Sequence, residues 1–241
     1  MVSSVAVFGF SFVTNNKLNM LLDIPFYISF VFVVALLITI FFFLKGINYS
    51  KKILLIVLIW AFIQGILSYS GFYLNTGEAP IKLFLAVFPP MLFTISSFIS
   101  KKGSEWINTI NLKDLTLLHI IRVPVELVLY WLFLYKAIPE LMTFSGRNFD
   151  ILAGITAPFV YYFGFVKQLL NKKVILGWNI VCLFLLLHIV VNAVLSAPLP
   201  IQQFAFDQPN IAVFNFPFLW LPSVIVPIVL FSHLVTIKRM W

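Results

Sequence analysis

A titratable side chain inside a long apolar run is the first place to look for chemistry, because holding it there costs free energy that something must justify. The run from Leu115 to Tyr130 carries four such residues: His119, Arg122, Glu126 and Tyr130. At the angular step of a helix they fall within an arc of roughly 80° on one face. Arg122 and Glu126 stand four residues apart, the spacing at which a cation and a carboxylate pair along a helix. A helix that begins near residue 115 puts Glu126 near the middle of a bilayer, where a charge costs roughly 2.5–3.5 kcal/mol on insertion scales. Such a face can hold an anion through Arg122, exchange a proton at Glu126 and relay protons through His119. The competing reading is a buried Arg122–Glu126 pair that only fixes packing. Pro124, between the two charges, predicts a bend and a freed carbonyl at Ile120.

A second polar stripe, His188 and Asn192, repeats the four-residue spacing in another apolar run. The two stripes are expected to line one cavity, with an interhelical hydrogen bond as the alternative. Gln64 and the Tyr161–Tyr162 pair can join either arrangement. His119 and His233 raise the question of bis-histidine haem ligation, but three His with no supporting pattern do not argue for it, and no cofactor is expected. No metal site is expected either, since Cys182 and the His residues lack ligand spacing. Cys182 stands alone, so no intrachain disulfide can form. Arg147, Asn148 and Asp150 make a candidate outer-face polar cluster for an anion or headgroup. Alternatively Asp150 caps the following helix, Asn148 holds the turn at Gly146, and Arg147 anchors at headgroups.

The elements that must position these residues are membrane spans. A chain of 241 residues that is 62% hydrophobic and 10% charged cannot cover its apolar side chains in a single soluble core. The 28 Phe and 6 Trp suit acyl chains and their interfaces. Apolar runs of about 20 residues, the length that crosses ~30 Å of hydrocarbon, fall near 24–44, 53–74, 80–99, 115–137, 150–170, 174–196 and 213–237. The expectation is therefore an all-α membrane protein, a single polytopic domain over 1–241 with about seven transmembrane helices in one bundle. Pro89 and Pro90 in the third run, and Pro217, Pro222 and Pro227 in the last, predict kinks packed against neighbours. Residues Met1 to Thr14 read as a short interfacial segment and lack the basic region and cleavage site of a signal peptide.

Basic residues alternate between the loops. Lys45, Lys51, Lys52, Lys101, Lys102, Lys113, Lys167, Lys172, Lys173, Lys238 and Arg239 fall on one side. Lys17, Lys82, Lys136 and Arg147 fall on the other, among Asp23, Glu78, Glu140, Asp150 and Asp207. The first side is expected to be cytoplasmic, with the N-terminus outside and the C-terminus cytoplasmic. The net charge of +8 comes from these short loops and from no clustered basic surface, so no nucleic-acid partner is expected. The lipid bilayer is the expected partner, in a bacterial-type plasma (inner) membrane. The leading expectation is a polar cavity lined by His119, Arg122, Glu126, Tyr130, His188 and Asn192. It binds or passes a small polar or anionic solute with proton coupling. The alternatives are a membrane-embedded enzyme acting on a lipid or isoprenoid, and a non-catalytic scaffold.

Overall fold

In the computed structural model, which describes residues 24–74 and 79–241, the apolar runs are helices. A helix lets an apolar segment bond its interior N–H and C=O groups to itself, which is why such runs adopt it. The order is α1 (Phe26–Gly46), α2 (Lys51–Tyr69), α3 (Ala79–Ile99) and a short α4 (Lys101–Thr109). Then follow α5 (Leu112–Leu134), α6 (Ile151–Val166), α7 (Lys172–Ser196) and α8 (Leu221–Met240). Among the described residues six helices are long and apolar enough to cross a membrane: α1, α2, α3, α5, α7 and α8. α6 is apolar but shorter. The expected interfacial segment Met1 to Thr14 lies outside the described residues.

The axis of the bundle is α5 with α8. Burial reaches 50% in α5 and 61% in α8, against 22% in α2 and 17% in α3, so the latter two are peripheral. α1 lies close against α5. A Cβ added at Gly46 would come within 2.6 Å of Leu115 Cδ2, so a larger residue there would require the Leu115 side chain to shift. The same end carries the Lys45–Asp114 ion pair at 3.1 Å and the bond from Asn111 N to Gly46 O. Lys238 donates to Ser104 Oγ there, Arg239 donates to the Ile110 carbonyl, and Lys113 sits over the Tyr161 ring. The basic loops thus gather at one end of the bundle.

The prolines tighten or loosen helices locally. Proline removes one backbone donor and crowds the carbonyl four residues earlier. Before Pro124 the chain tightens into a 3-10 turn at His119–Ile121, and α5 continues beyond it. After Pro158, α6 widens to π geometry over Tyr161–Val166, and α8 begins as a π segment at Leu221–Ile225 that contains Pro222. α3 runs through Pro89 and Pro90 as one helix.

Two expected spans, 150–170 and 213–237, are shorter as helices: α6 ends at Val166 and α8 begins at Leu221. The apolar stretch expected to open the last span near 213 is instead a packed approach of one 3-10 turn, Ala212–Phe214, and further turns, in which Val213, Phe214, Phe218 and Leu219 are buried. The stretch before α6 behaves alike. At the far end of α5, Ile211 and Ala212 both donate their N–H to the Ala137 carbonyl. From a 3-10 turn at Glu140–Met142 the chain then runs back alongside α5. Phe144 stacks on Tyr130 at 4.9 Å, Asn148 reaches Glu126, and Asp150 reaches Arg122. α6 therefore begins partway along α5. Non-helical backbone removed from water must find its partners within the protein. Here Thr143 N donates to Glu140 O, Gly146 N and Asn148 N donate to Thr143 O, and Asp150 N donates to Asn148 Oδ1.

Candidate functional site

The return segment brings a carboxylate to Arg122 that α5 does not supply. Arg122 is 2% exposed, and its Nη1 donates to Asp150 Oδ1 at 2.5 Å. The same nitrogen reaches the Cys182 carbonyl of α7 at 3.4 Å, and Nη2 lies 2.7 Å from His233 Nε2 on α8. The expected Arg122–Glu126 pair does not form. The reason is that Asp150, at the head of α6, approaches the guanidinium from outside α5 and satisfies it first. Gly154 makes this possible: a Cβ there would stand 2.9 Å from Val123 N and 3.2 Å from Arg122 Cβ.

Hydrogen bonding fixes the tautomer of His233. A guanidinium only donates, so Nε2 accepts from Arg122 and the ring proton sits on Nδ1, which donates to Asn179 Oδ1 at 2.9 Å. Asn179 Nδ2 donates to the Ile175 carbonyl, which orients the amide. His233 is neutral and fully partnered. His119 lies face to face with it, ring centroids 3.9 Å apart and planes 11° apart, with Trp178 against its edge at 5.6 Å. Both His119 nitrogens and Arg122 Nε are buried without a hydrogen-bond partner among the described residues. Rings stacked this closely leave no room for a macrocycle between them.

Glu126 has a different environment. It is 2% exposed, and its Oε1 accepts from Asn148 Nδ2 at 2.6 Å. Asn148 also donates to Met142 O and accepts from Asp150 N, so its polar atoms are all engaged. Glu126 Oε2 has no partner among the described residues. Glu126 and Asp150 line a cleft of about 160 Å³ whose other walls are mostly apolar: Leu83 and Val87 of α3, Val125 and Leu129 of α5, Leu186, Ile189, Val190, Ala193 and Val194 of α7, and Leu221, Pro222 and Val226 of α8. Asn210 also lines it. Its Nδ2 donates to the Ala193 carbonyl, while its buried Oδ1 has no partner among the described residues. Several wall residues are only half-buried, so the cleft reaches the surface of the bundle.

The remaining expected residues stand apart from this centre. Tyr130 stacks on Phe144 and approaches Phe133, beyond the polar group. His188 is exposed and Asn192 buried; they bond to each other at 3.0 Å along α7, and neither lines the cleft. The outer-face cluster of Arg147, Asn148 and Asp150 does not assemble. Arg147 is exposed, whereas Asn148 and Asp150 turn inward because the segment carrying them runs back along α5. Asp150 occupies the position before α6 without capping it through its side chain. Gln64 lies elsewhere and accepts from Tyr73 Oη at 2.5 Å. Asn179 and Asn210 join the site although neither stands out in the sequence. An amide inside the apolar run of α7, which carries one other at Asn192, is the signal available for the first.

The chain belongs to the family described as Domain of unknown function (DUF8737), whose model matches residues 79–241. The matched stretch includes every residue of the polar centre and of the cleft. No curated protein and no solved structure matches the chain.

Proposed function

We propose that this chain is a multi-pass membrane protein that binds a small amphiphile in the cleft at Glu126, with Glu126 as its proton-exchanging group. One observation carries the reading: an apolar cleft is lined by two residues, Glu126 and Asn210, each with a buried acceptor oxygen that nothing among the described residues satisfies. An unsatisfied buried acceptor costs about 1–3 kcal/mol, and more when charged, so a ligand that donates to it recovers that cost. The apolar walls take the hydrocarbon part, as in most small-molecule sites. Holding an anion through the Arg122 η nitrogens is disfavoured, because they already serve Asp150, His233 and the Cys182 carbonyl. A polar or anionic solute would have to displace Asp150. An enzyme acting on a lipid or isoprenoid would use the same cleft, with Glu126 as general acid or base.

On this reading α6 and the return segment together make one crossing, for seven in all. The basic end is cytoplasmic, the N-terminus outside and the C-terminus cytoplasmic, in a bacterial-type plasma membrane. Irregular backbone at membrane depth is tolerated where protein encloses it, and Thr143, Asn148 and Asp150 are enclosed.

Carbodiimide labelling in membranes tests the role of Glu126. A hydrophobic carbodiimide converts a protonated carboxyl in an apolar site to a stable N-acylurea, read as one added reagent mass on the intact protein. The expected result is a single adduct that maps to Glu126 and disappears in Glu126→Gln. Labelling that maps elsewhere, or none at either mildly acid or mildly alkaline pH, overturns the proposal.

A further inference from the structure

We infer that the amphiphile held at Glu126 is a lipophilic ammonium that exchanges with a proton; this rests on the reading of the cleft given above. Charge balance decides the ligand class. Around Glu126 the ionisable groups are Arg122 and His119 from α5, Asp150 at the head of α6, Cys182 from α7 and His233 from α8. Lys82 of α3, beside the wall residue Leu83, has its amino group over the Phe72 ring at 4.7 Å. Arg122 and Asp150 neutralise each other at 2.5 Å. His233 is neutral by its hydrogen bonds. A charged His119 would bury two N–H groups with no acceptor in reach among the described residues. What remains is Glu126, whose hydrogen-bond donor is the neutral amide of Asn148.

A buried carboxylate without a counter-charge is expensive, so Oε2 must hold a proton or a cation. A hard metal ion asks for six to eight oxygen ligands and finds few side-chain oxygens here. An organic ammonium suits the site better, since its N–H donors can serve Glu126 Oε2 while its hydrocarbon meets the walls. At about 160 Å³ the cleft is close to the ~150 Å³ engineered cavity that admits benzene, so the apolar part is about one six-carbon ring or a short branched chain. Proton and ammonium compete for the same oxygen, so binding weakens as pH falls.

The test compares three probes of similar size on the purified full-length protein, by thermal shift and calorimetry: benzylammonium, benzyl alcohol and benzoate. Benzylammonium is expected to bind at least about tenfold more tightly than benzyl alcohol, the gap between a charged and a neutral hydrogen bond. Its binding should fade in acid and be lost in Glu126→Gln, and benzoate should not bind. Benzyl alcohol binding as well as benzylammonium, dependent on Glu126, overturns the charge assignment and leaves the cleft standing. So does labelling of Glu126 by carbodiimide without any benzylammonium binding. Failure of every probe together with failure of labelling overturns both. The three-probe comparison uses the unmodified protein, so it does not depend on how the variant folds.

Discussion

Replacing Asp150 by Asn should cost more stability than any other single carboxylate-to-amide change among the described residues. Asp150 is 5% exposed and Arg122 2%, and their contact at 2.5 Å gives each its opposite charge. Taking away one charge leaves the guanidinium buried among neutral acceptors, His233 Nε2 and the Cys182 carbonyl. Breaking a buried pair from one side costs about 3–5 kcal/mol; Asn keeps an oxygen near Nη1, which favours the lower end. In a chain of 150–250 residues each kcal/mol moves Tm by about 2–4 °C, so a fall of about 6–12 °C is expected. Arg122→Gln should cost a similar amount, and the double variant should recover much of the loss. Thermal unfolding in detergent, followed by near-UV circular dichroism, supplies the numbers. A parallel cycle of Arg122 with Glu126 should give a smaller coupling, because Glu126 bonds to Asn148 instead. A 122–126 coupling larger than the 122–150 coupling would refute the arrangement.

Gly154→Ala should destabilise by about 1–3 kcal/mol, as overpacking does, because its methyl would press on Val123 N and Arg122 Cβ; unchanged thermal stability would contradict that close approach. His119→Phe should be tolerated within about 1 kcal/mol, since His119 stacks but makes no hydrogen bond among the described residues, whereas His233→Phe should cost about 1–3 kcal/mol by stranding Arg122 Nη2 and Asn179 Oδ1; equal losses in the two variants would argue against the assigned tautomer. Asn148→Ala removes the donor to Glu126 and the acceptor for Asp150 N, and should both cost about 1–3 kcal/mol and raise protease cleavage in the 143–150 segment, with intact cleavage resistance as the contrary result.

The helices are legible in the sequence because backbone in an apolar run has one conformation that satisfies it, and the composition announces such runs. His119, Arg122 and Glu126 are legible as residues too costly to be idle, and the structure buries all three. The partner of Arg122 is not. Spacing within one helix reveals only local neighbours. Asp150 lies 28 residues from Arg122, in a stretch of Thr, Phe, Ser, Gly, Arg, Asn, Phe and Asp whose turn residues and aromatics read as a packed cap over the outer face and not as a segment reaching Arg122. Its depth depends on α6 starting partway along α5, which packing at Gly154 and the bonds of Thr143 and Asn148 enforce. His233, 111 residues from Arg122, is visible only as a histidine in the last apolar run. The pairing of His188 with Asn192 is legible as spacing, but the face they share is not, because α7 is apolar on all sides.

If Glu126 is retained for the cleft and not as a structural partner of Arg122, the Tm of ligand-free Glu126→Gln must show it. Gln keeps an acceptor for Asn148 Nδ2 and removes a carboxyl that has no counter-charge, so the variant should be as stable as the parent or more so. A fall in Tm as large as that of Asp150→Asn would make Glu126 part of the structural clasp and would contradict its assignment to the cleft.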